Sequence, residues 1–414
     1  MQKDKYYIPI RRFPQFTRER SWDYVNANEL FEPIVNKHHN SDLPVLAITQ
    51  DHGAIPRKMI DYNVIVSEKS IAGYKVVEVG DFIISLRSFQ GGVEYSSYKG
   101  LCSPAYIVLR KKNDTICNDF YRHYFKSRQF IQDLNRNLEG IRDGKMVSYQ
   151  QFSELLLPYP SFAEQQKIAE SLFSFDSYIS SINEKVEQLK AHKKSLLQKL
   201  FPQKGKTIPE FRFSKFKGSK GWEEKKLGDI FKRITNKNTT NNQNVLTISA
   251  QHGLVSQYDY FHKSVAASNL SNYYLLKKGD FAYNKSRSQG YPYGTIKSLQ
   301  LYDEGVVSAL YICFRIKYCD IADSFFEHYF ETELINEEIG KIAQEGARNH
   351  GLLNISTDDF FNKVVLLIPS QSEQKTIAEC LSSIDRTIRL YSEKVSQLKQ
   401  HKKGIMQQLF PHKK

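Results

Sequence analysis

At 414 residues, with 40% hydrophobic and 25% charged residues, the chain is long enough for two or three domains with sizeable cores and has a globular composition. Lys and Arg outnumber Asp and Glu by 59 to 45, a formal charge of +14, which argues for polyanionic partners such as nucleic acid. The first residues, MQKDKYYIPIRRF, lack the apolar core of a signal peptide, and no apolar run approaches a membrane span, so a cytosolic protein is expected.

Taken in order, the chain writes the same text twice. Pro9, Arg12-Phe13, Phe16, Trp22, Phe31, Ile34 and Asn36-Lys37 recur 200 residues later as Pro209, Arg212-Phe213, Phe216, Trp222, Phe231, Ile234 and Asn236-Lys237. VLAITQDHG (45–53) answers VLTISAQHG (245–253), and Gly80-Asp81-Phe82 answers Gly279-Asp280-Phe281. SPAYIVLR (103–110) then answers SALYICFR (308–315). The β-branched and aromatic runs VLAIT, FIISL, AYIVL, VLTIS, FAYN and LYICFRI are predicted strands. NDFYRHYFKSRQFIQDL and DSFFEHYFETELINEEIGKIA have helical periodicity. Each half then carries Glu-Gly-x-Arg (139–142 and 345–348) and an apolar run, ELLLPYP or VVLLIP.

A long apolar ladder closes each half. Ile168, Leu172, Phe175, Ile179, Ile182, Val186, Leu189, Leu196 and Leu200 keep a four-three spacing broken only at Lys193. Ile377, Leu381, Ile384, Ile388, Tyr391, Val395, Leu398, Ile405 and Leu409 repeat it, broken at Lys402. This is the seam of a coiled coil, and about 25 of 45 aligned positions (160–204 against 369–413) are identical. Pro160-Ser161-x-x-Glu164 and Pro369-Ser370-x-x-Glu373 predict capping boxes, with each glutamate reaching back to the cap, and Leu-Phe-Pro at 200–202 and 409–411 stops each helix. Both helices start acidic and end basic, so charge favours antiparallel pairing, with Lys193 and Lys402 each beside the other helix's acidic start. The expected fold is α+β, two repeated recognition domains separated by two long helices that form an antiparallel, pseudo-two-fold coiled coil. Its boundaries are 1–159, 160–202 (first helix), 203–221 (a Lys-, Gly- and Ser-rich connector), 222–368 and 369–411 (second helix).

Catalytic motifs are not found. Gly205-Lys206-Thr207 lacks the earlier glycine of a P-loop, and Phe89-Gln90-Gly91-Gly92 reads as a turn, with no Asn-Pro-Pro or Asp-Pro-Pro segment to hold a target amine. Five cysteines (Cys102, Cys117, Cys313, Cys319, Cys380) form no CxxC pair, which fits reduced thiols and speaks against a metal site. His123 and His328 lie in aromatic helices and read as packing residues.

DNA contact is the better-supported chemistry. The two halves differ most between Gly-Asp-Phe and the following strand, as recognition loops on a shared scaffold would. Arg87, Ser88 and Gln90 in one half, and Lys285, Arg287, Gln289 and Tyr291 in the other, include the side chains that grip base edges and phosphates. Arg142 with Lys145, and Arg348 with His350, form a candidate second finger. His52 and His252, each between a strand and a glycine, fit either a DNA contact or a turn.

The paired Pro-Ser-x-x-Glu-Gln helices, their Lys-Lys-x-x-x-Gln-x-Leu-Phe-Pro ends and the Arg-Phe-x-x-Phe…Trp lead-ins together resemble the specificity subunit of type I restriction-modification enzymes. The first lead-in, RRFPQFTRERSWDY, is looser than FRFSKFKGSKGWEE. The resemblance implies a non-catalytic subunit in which each domain reads one half of a split double-stranded DNA target. Two modification subunits would bring S-adenosylmethionine for methylation of adenine at N6. Restriction (motor-nuclease) subunits would bring ATP and Mg2+. No cofactor, metal or membrane is expected for the chain itself. A helix of about 37 residues rises about 55 Å, enough to hold two modules over sites one DNA turn, roughly 35 Å, apart. The rival reading is a non-catalytic coiled-coil adaptor that binds nucleic acid through charge without sequence preference.

Overall fold

The apolar runs pair into the same set of antiparallel ladders twice. The computed structural model describes residues 8–40, 42–60, 71–136, 147–249, 253–261, 269–288, 290–318, 323–343 and 351–411. Its contacts divide the chain into two units, 1–183 with 393–414, and 184–392. In the first unit Phe31–Ile34, Ile107–Lys111, Phe82–Ile84 and Glu94–Tyr95 form a four-stranded antiparallel sheet in that order. The second unit orders Phe231–Arg233, Ile312–Ile316, Phe281–Asn284 and Thr295–Ser298 in the same way. Each unit adds three two-stranded ladders at corresponding places, such as Leu46–Thr49 with Gly53–Pro56 and Leu246–Ser249 with Gly253–Ser256.

Repeated aromatics fill the cores. Phe31 meets Phe82, Tyr121 and Phe125 at ring distances of 5.5, 5.1 and 5.6 Å. Phe231 meets Phe281, Phe326 and Phe330 at 5.7, 4.8 and 5.9 Å. The edge-on geometry of most of these contacts adds to simple area burial. Each helical stretch is two helices rather than one: Asn118–Tyr124 then Arg128–Arg136, and Asp323–Tyr329 then Glu333–Ile342. Ser127 and Thr332 make the break. The Ser127 hydroxyl accepts the Phe130 N–H (3.2 Å), and Thr332 takes an extended N-cap conformation.

The polar pairs repeated in both halves are structural. Gly-Asp-Phe and the arginine closing the later strand meet, Arg110 gripping Asp81 with bonds of 2.7 and 2.8 Å and Arg315 gripping Asp280 with bonds of 2.8 and 2.5 Å. The capping-box expectation changes at its glutamates. Ser161 and Ser370 do accept the Glu164 and Glu373 N–H groups, both at 3.4 Å. The carboxylates, though, go to the lead-ins: Arg12 holds both oxygens of Glu164 at 2.7 Å, and Arg212 holds both of Glu373 at 2.7 Å. Trp22 Nε1 also donates to Glu164 (3.0 Å). A buried carboxylate needs a charged, hydrogen-bonding partner more than a helix cap does. The connector is shorter than composition suggests. Side chains 203–208 are exposed, but from Pro209 the chain is held, with the Phe211 N–H on Lys199 O (2.8 Å) and the Trp222 N–H on Thr207 O (2.7 Å).

Phe162–Leu200 and Gln371–Leu409 are single helices of 39 residues each. In the first unit Ile179 and Ile182 pack with Val395 and Leu398, and Phe175 lies 5.8 Å from the His401 ring. The ends of the ladder serve the domains instead. Ile168, Leu172 and Leu409 join the first aromatic core, and Leu196, Leu200, Ile377 and Leu381 join or line the second. Val186 is buried, Leu189, Ile384 and Ile388 are half-buried, and Tyr391 is 37% exposed, so the middle seam is partly open. The stop signals have a second use: Phe410 packs on Phe120 and Tyr124 (5.6 and 5.4 Å), as Phe201 does on Trp222 and Phe325 (both 5.6 Å).

Both breaks in the ladder are ion pairs, and both require antiparallel helices. Lys402 Nζ reaches Asp176 at 2.5 Å in the first unit, and Lys193 Nζ reaches Asp385 at 2.8 Å in the second. His123 and His328 are buried beside these pairs, 3.9 and 3.8 Å from Asp176 and Asp385. Burial first, then the neighbouring seam lysine, pushes His123 down to about 3 and His328 down to about 4, against the pull of the aspartates. Among the described residues no helix is long and apolar enough to cross a membrane.

Arg212→Met leaves Glu373 buried without its guanidinium and is expected to cost about 3 to 5 kcal/mol in urea denaturation. Arg12→Met should cost less, since Trp22 still donates to Glu164, and equal costs would contradict this. An unfolded histidine takes its proton near pH 6.5 while the folded ones stay neutral to about pH 3 or 4. Stability is therefore lost as pH falls below about 6.5. His328→Gln should flatten the decline of Tm between about pH 6.5 and 4.5.

Candidate nucleic-acid interface

In the first unit residues 85–93 join the strands Phe82–Ile84 and Glu94–Tyr95 and contain Arg87, Ser88 and Gln90. The short helix Ser88–Gly91 forms because Ser88 Oγ accepts the Ser85 N–H (2.9 Å) and the Gly92 N–H donates to Ser88 O (2.8 Å). Arg87 and Gln90 are exposed. Ser88 is 1% exposed and its hydroxyl holds the turn, which removes it from the expected contact set. The Phe-Gln-Gly-Gly stretch is a turn, as expected: Gly92 has φ +81, and a Cβ there would lie 1.9 Å from Phe125 O. His52 sits in the hairpin turn after Leu46–Thr49. Its N–H donates to Thr49 Oγ1 (3.1 Å) and its side chain is exposed, so its backbone serves the turn and its ring is left free of the core.

One residue not singled out by the sequence joins these loops. Lys126 Nζ donates to Glu94 Oε1 (2.5 Å), Gly91 O (3.0 Å) and Gln50 O (3.4 Å), tying the His52 turn to the 85–93 loop. Asn135 Nδ2 donates to Phe89 O (2.8 Å), and Arg122 stacks 4.9 Å over Tyr95. The signal for Lys126 was present but faint: its counterpart in the second copy is Glu331, of opposite charge.

In the second unit residues 285–294 join Phe281–Asn284 to Thr295–Ser298 and adopt a different shape. The Ser288 and Tyr291 backbones bond to each other (3.2 and 2.9 Å), and Gly290 takes φ +80. Arg287 is exposed and Tyr291 is 37% exposed, whereas Lys285 is half-buried, which pulls its ammonium below the usual range. The Arg287 N–H donates to Gly351 O (2.6 Å) and the Leu353 N–H to Lys285 O (3.0 Å). The loop is thus braced by the residues that follow Arg348 and His350. Arg142, Lys145, His252, Gln289, Arg348 and His350 themselves lie outside the described residues. Among those described, His52, Arg87 and Gln90 lie on the two first-unit loops that Lys126 ties together, and Arg287 and Tyr291 lie on one hairpin of the second unit. Cationic, amide and aromatic groups of this kind suit phosphates, base edges and base stacking.

The type I restriction modification DNA specificity domain matches residues 22–191 and again 219–400. The MjaVIII type I restriction enzyme specificity subunit of Methanocaldococcus jannaschii is 26% identical over 361 residues, 82% of this chain and 80% of its own. The putative MjaX specificity subunit of the same organism is 22% identical over 432 residues, covering 95% and 93%. In structure, the S subunit of a type I restriction-modification system from M. genitalium aligns over 98% of this chain and 100% of its own, with a TM-score of 0.54 and 14% identity. A chain solved for complex assembly and conformational transition of the type I R-M system aligns over 94% and 97%, with a TM-score of 0.50 and 15% identity.

Gly92→Ala forces a side chain into a positive-φ site against Phe125 O and is expected to cost about 1 to 3 kcal/mol. Gly290→Ala, with open space around it, should cost less. Comparing the two by chemical denaturation checks this.

Proposed function

The chain belongs to the type I restriction-modification DNA specificity family, and from this premise we propose that each of its units reads one half of a split DNA sequence through the loops at 85–93 and 285–294. The chain is a specificity subunit with two target-recognition domains. The observation that carries the finer reading is that the same ladders recur in both units while these loops differ in shape, one a helical turn and one a hairpin. A common scaffold with different exposed loops suits two different half-sites.

Arg87, Gln90 and His52 contact DNA from the first unit, and Arg287, Tyr291 and Lys285 from the second. Arg142, Lys145, His252, Gln289, Arg348 and His350 complete the proposed set. The formal charge of +14 supports attraction to phosphates. Two modification subunits dock on the chain and supply S-adenosylmethionine; restriction subunits supply ATP and Mg2+, and the chain performs no catalysis itself. The complex works in the cytosol.

Mapping methylated adenines in a genome that carries this chain and its partner subunits is expected to give one split sequence. Replacing residues 83–102 with the segment of a relative of different specificity should change one half of it only. Arg287→Ala should cost about 1 to 3 kcal/mol in binding and relax one base position of the other half. Salt-dependent binding without sequence preference would instead favour the adaptor reading.

A further inference from the structure

The two units carry the same lock with its charges reversed. Glu94 lies opposite Ile83 in the first sheet, and Lys297 lies opposite Ala282 in the second, at matching places after the recognition loop. Each meets the residue just before the second domain helix: Glu94 bonds to Lys126 (2.5 Å), and Lys297 bonds to Glu331 (3.0 Å).

The reversal changes what each lock is attached to. Lys126 spends its other donors on Gly91 O and Gln50 O, so the first lock closes on the loop and the neighbouring turn. A cation at 126 gains nothing from the seam lysine of its unit, Lys402, which pairs with Asp176. Glu331 uses its second oxygen on Lys193 Nζ (2.8 Å), which also holds Asp385 (2.8 Å). An alternating chain, Lys297–Glu331–Lys193–Asp385, therefore runs from the strand that leaves the second recognition loop to both long helices. Burial alone would raise the Glu331 carboxyl, but Lys297 and Lys193 hold it down to about 2. Side-chain exposures of 13% for Lys193 and 18% for Lys297 keep the chain partly shielded from water, where ion pairs weaken least.

We propose that Lys297, Glu331 and Lys193 are positioning residues that couple the second recognition loop to the long-helix pair, whereas the first loop is held by Lys126 within its own domain. The inference rests on the reading that the loop at 285–294 contacts DNA. It makes the two half-sites respond differently to the same change in the helices.

The test measures, for the assembled methyltransferase complex, discrimination against single-base changes in each half-site. Lys193→Met is expected to lower discrimination in the half read by the second unit by about five-fold or more, the lower range of a coupled site. Lys193→Arg should restore it, and Lys402→Met should leave the half read by the first unit unchanged. Lys297→Met, which leaves the helix seam intact, should reproduce the Lys193→Met effect and keeps the test open if Lys193→Met fails to fold. A charge-exchange cycle read by Tm tests the chain itself. Lys297→Glu with Glu331→Lys should recover little of the stability lost in either single variant, because the new cation at position 331 would face Lys193. Equal effects of Lys193→Met and Lys402→Met on their half-sites, or full recovery in the exchange, would overturn the coupling. A parent complex with two discriminated half-sites but no effect of Lys193 or Lys297 substitution overturns this inference alone, and a parent complex without discrimination overturns the functional reading with it.

Discussion

Each unit depends on a buried carboxylate at the first turn of a long helix. Glu164 and Glu373 are almost fully removed from water, which would be costly for an isolated charge. Arg12 and Arg212 offset that cost with two short charge-assisted bonds each, and the helix N-terminus favours negative charge in the same place. In each unit the pair joins the lead-in to the start of the helix, and in the first unit Trp22, which also donates to Glu164, adds the aromatic core. At the other end of each helix the join is apolar. Phe201 and Phe410 enter domain cores as the helices stop, so neither helix is a free spacer attached by loops.

With both helix ends built into domains, the short stretch between them has a different task. There the seam is partly open and carries the Lys193 and Lys402 pairs. A lysine in an apolar seam lowers packing, and here each one finds an aspartate on the facing helix. The buried histidines beside each pair stay neutral and bring a domain helix to the same point. Domain and helices thus share one local constraint in each unit.

The duplicated scaffold carries two loops of different shape at corresponding places. Asp81–Arg110 and Asp280–Arg315 hold each sheet at the strand end away from the loops at 85–93 and 285–294, independently of the shape those loops take. One copy has become a helical turn braced by Lys126, the other a hairpin braced by Gly351 and Leu353. Opposite charges at positions 126 and 331 show that the two copies have settled their local electrostatics separately, each consistent within itself.

The sequence by itself determined the duplication, the two long helices, their stops and their antiparallel direction. Those features depend on periodicity, proline and charge order, which are local or repeat at fixed offset. It also located the two loops that differ in shape, at 85–93 and 285–294, because they interrupt an otherwise regular repeat. What it misread were the partners of polar side chains. The capping glutamates were claimed by arginines more than 150 residues away, Ser88 was spent on its own turn, and Lys126 lies in a break between two helices within a stretch that reads as continuously helical. Only the tertiary structure decided these, because a buried charge or hydroxyl takes whichever partner the fold brings within about 3 Å, and that distance has no signature in sequence spacing.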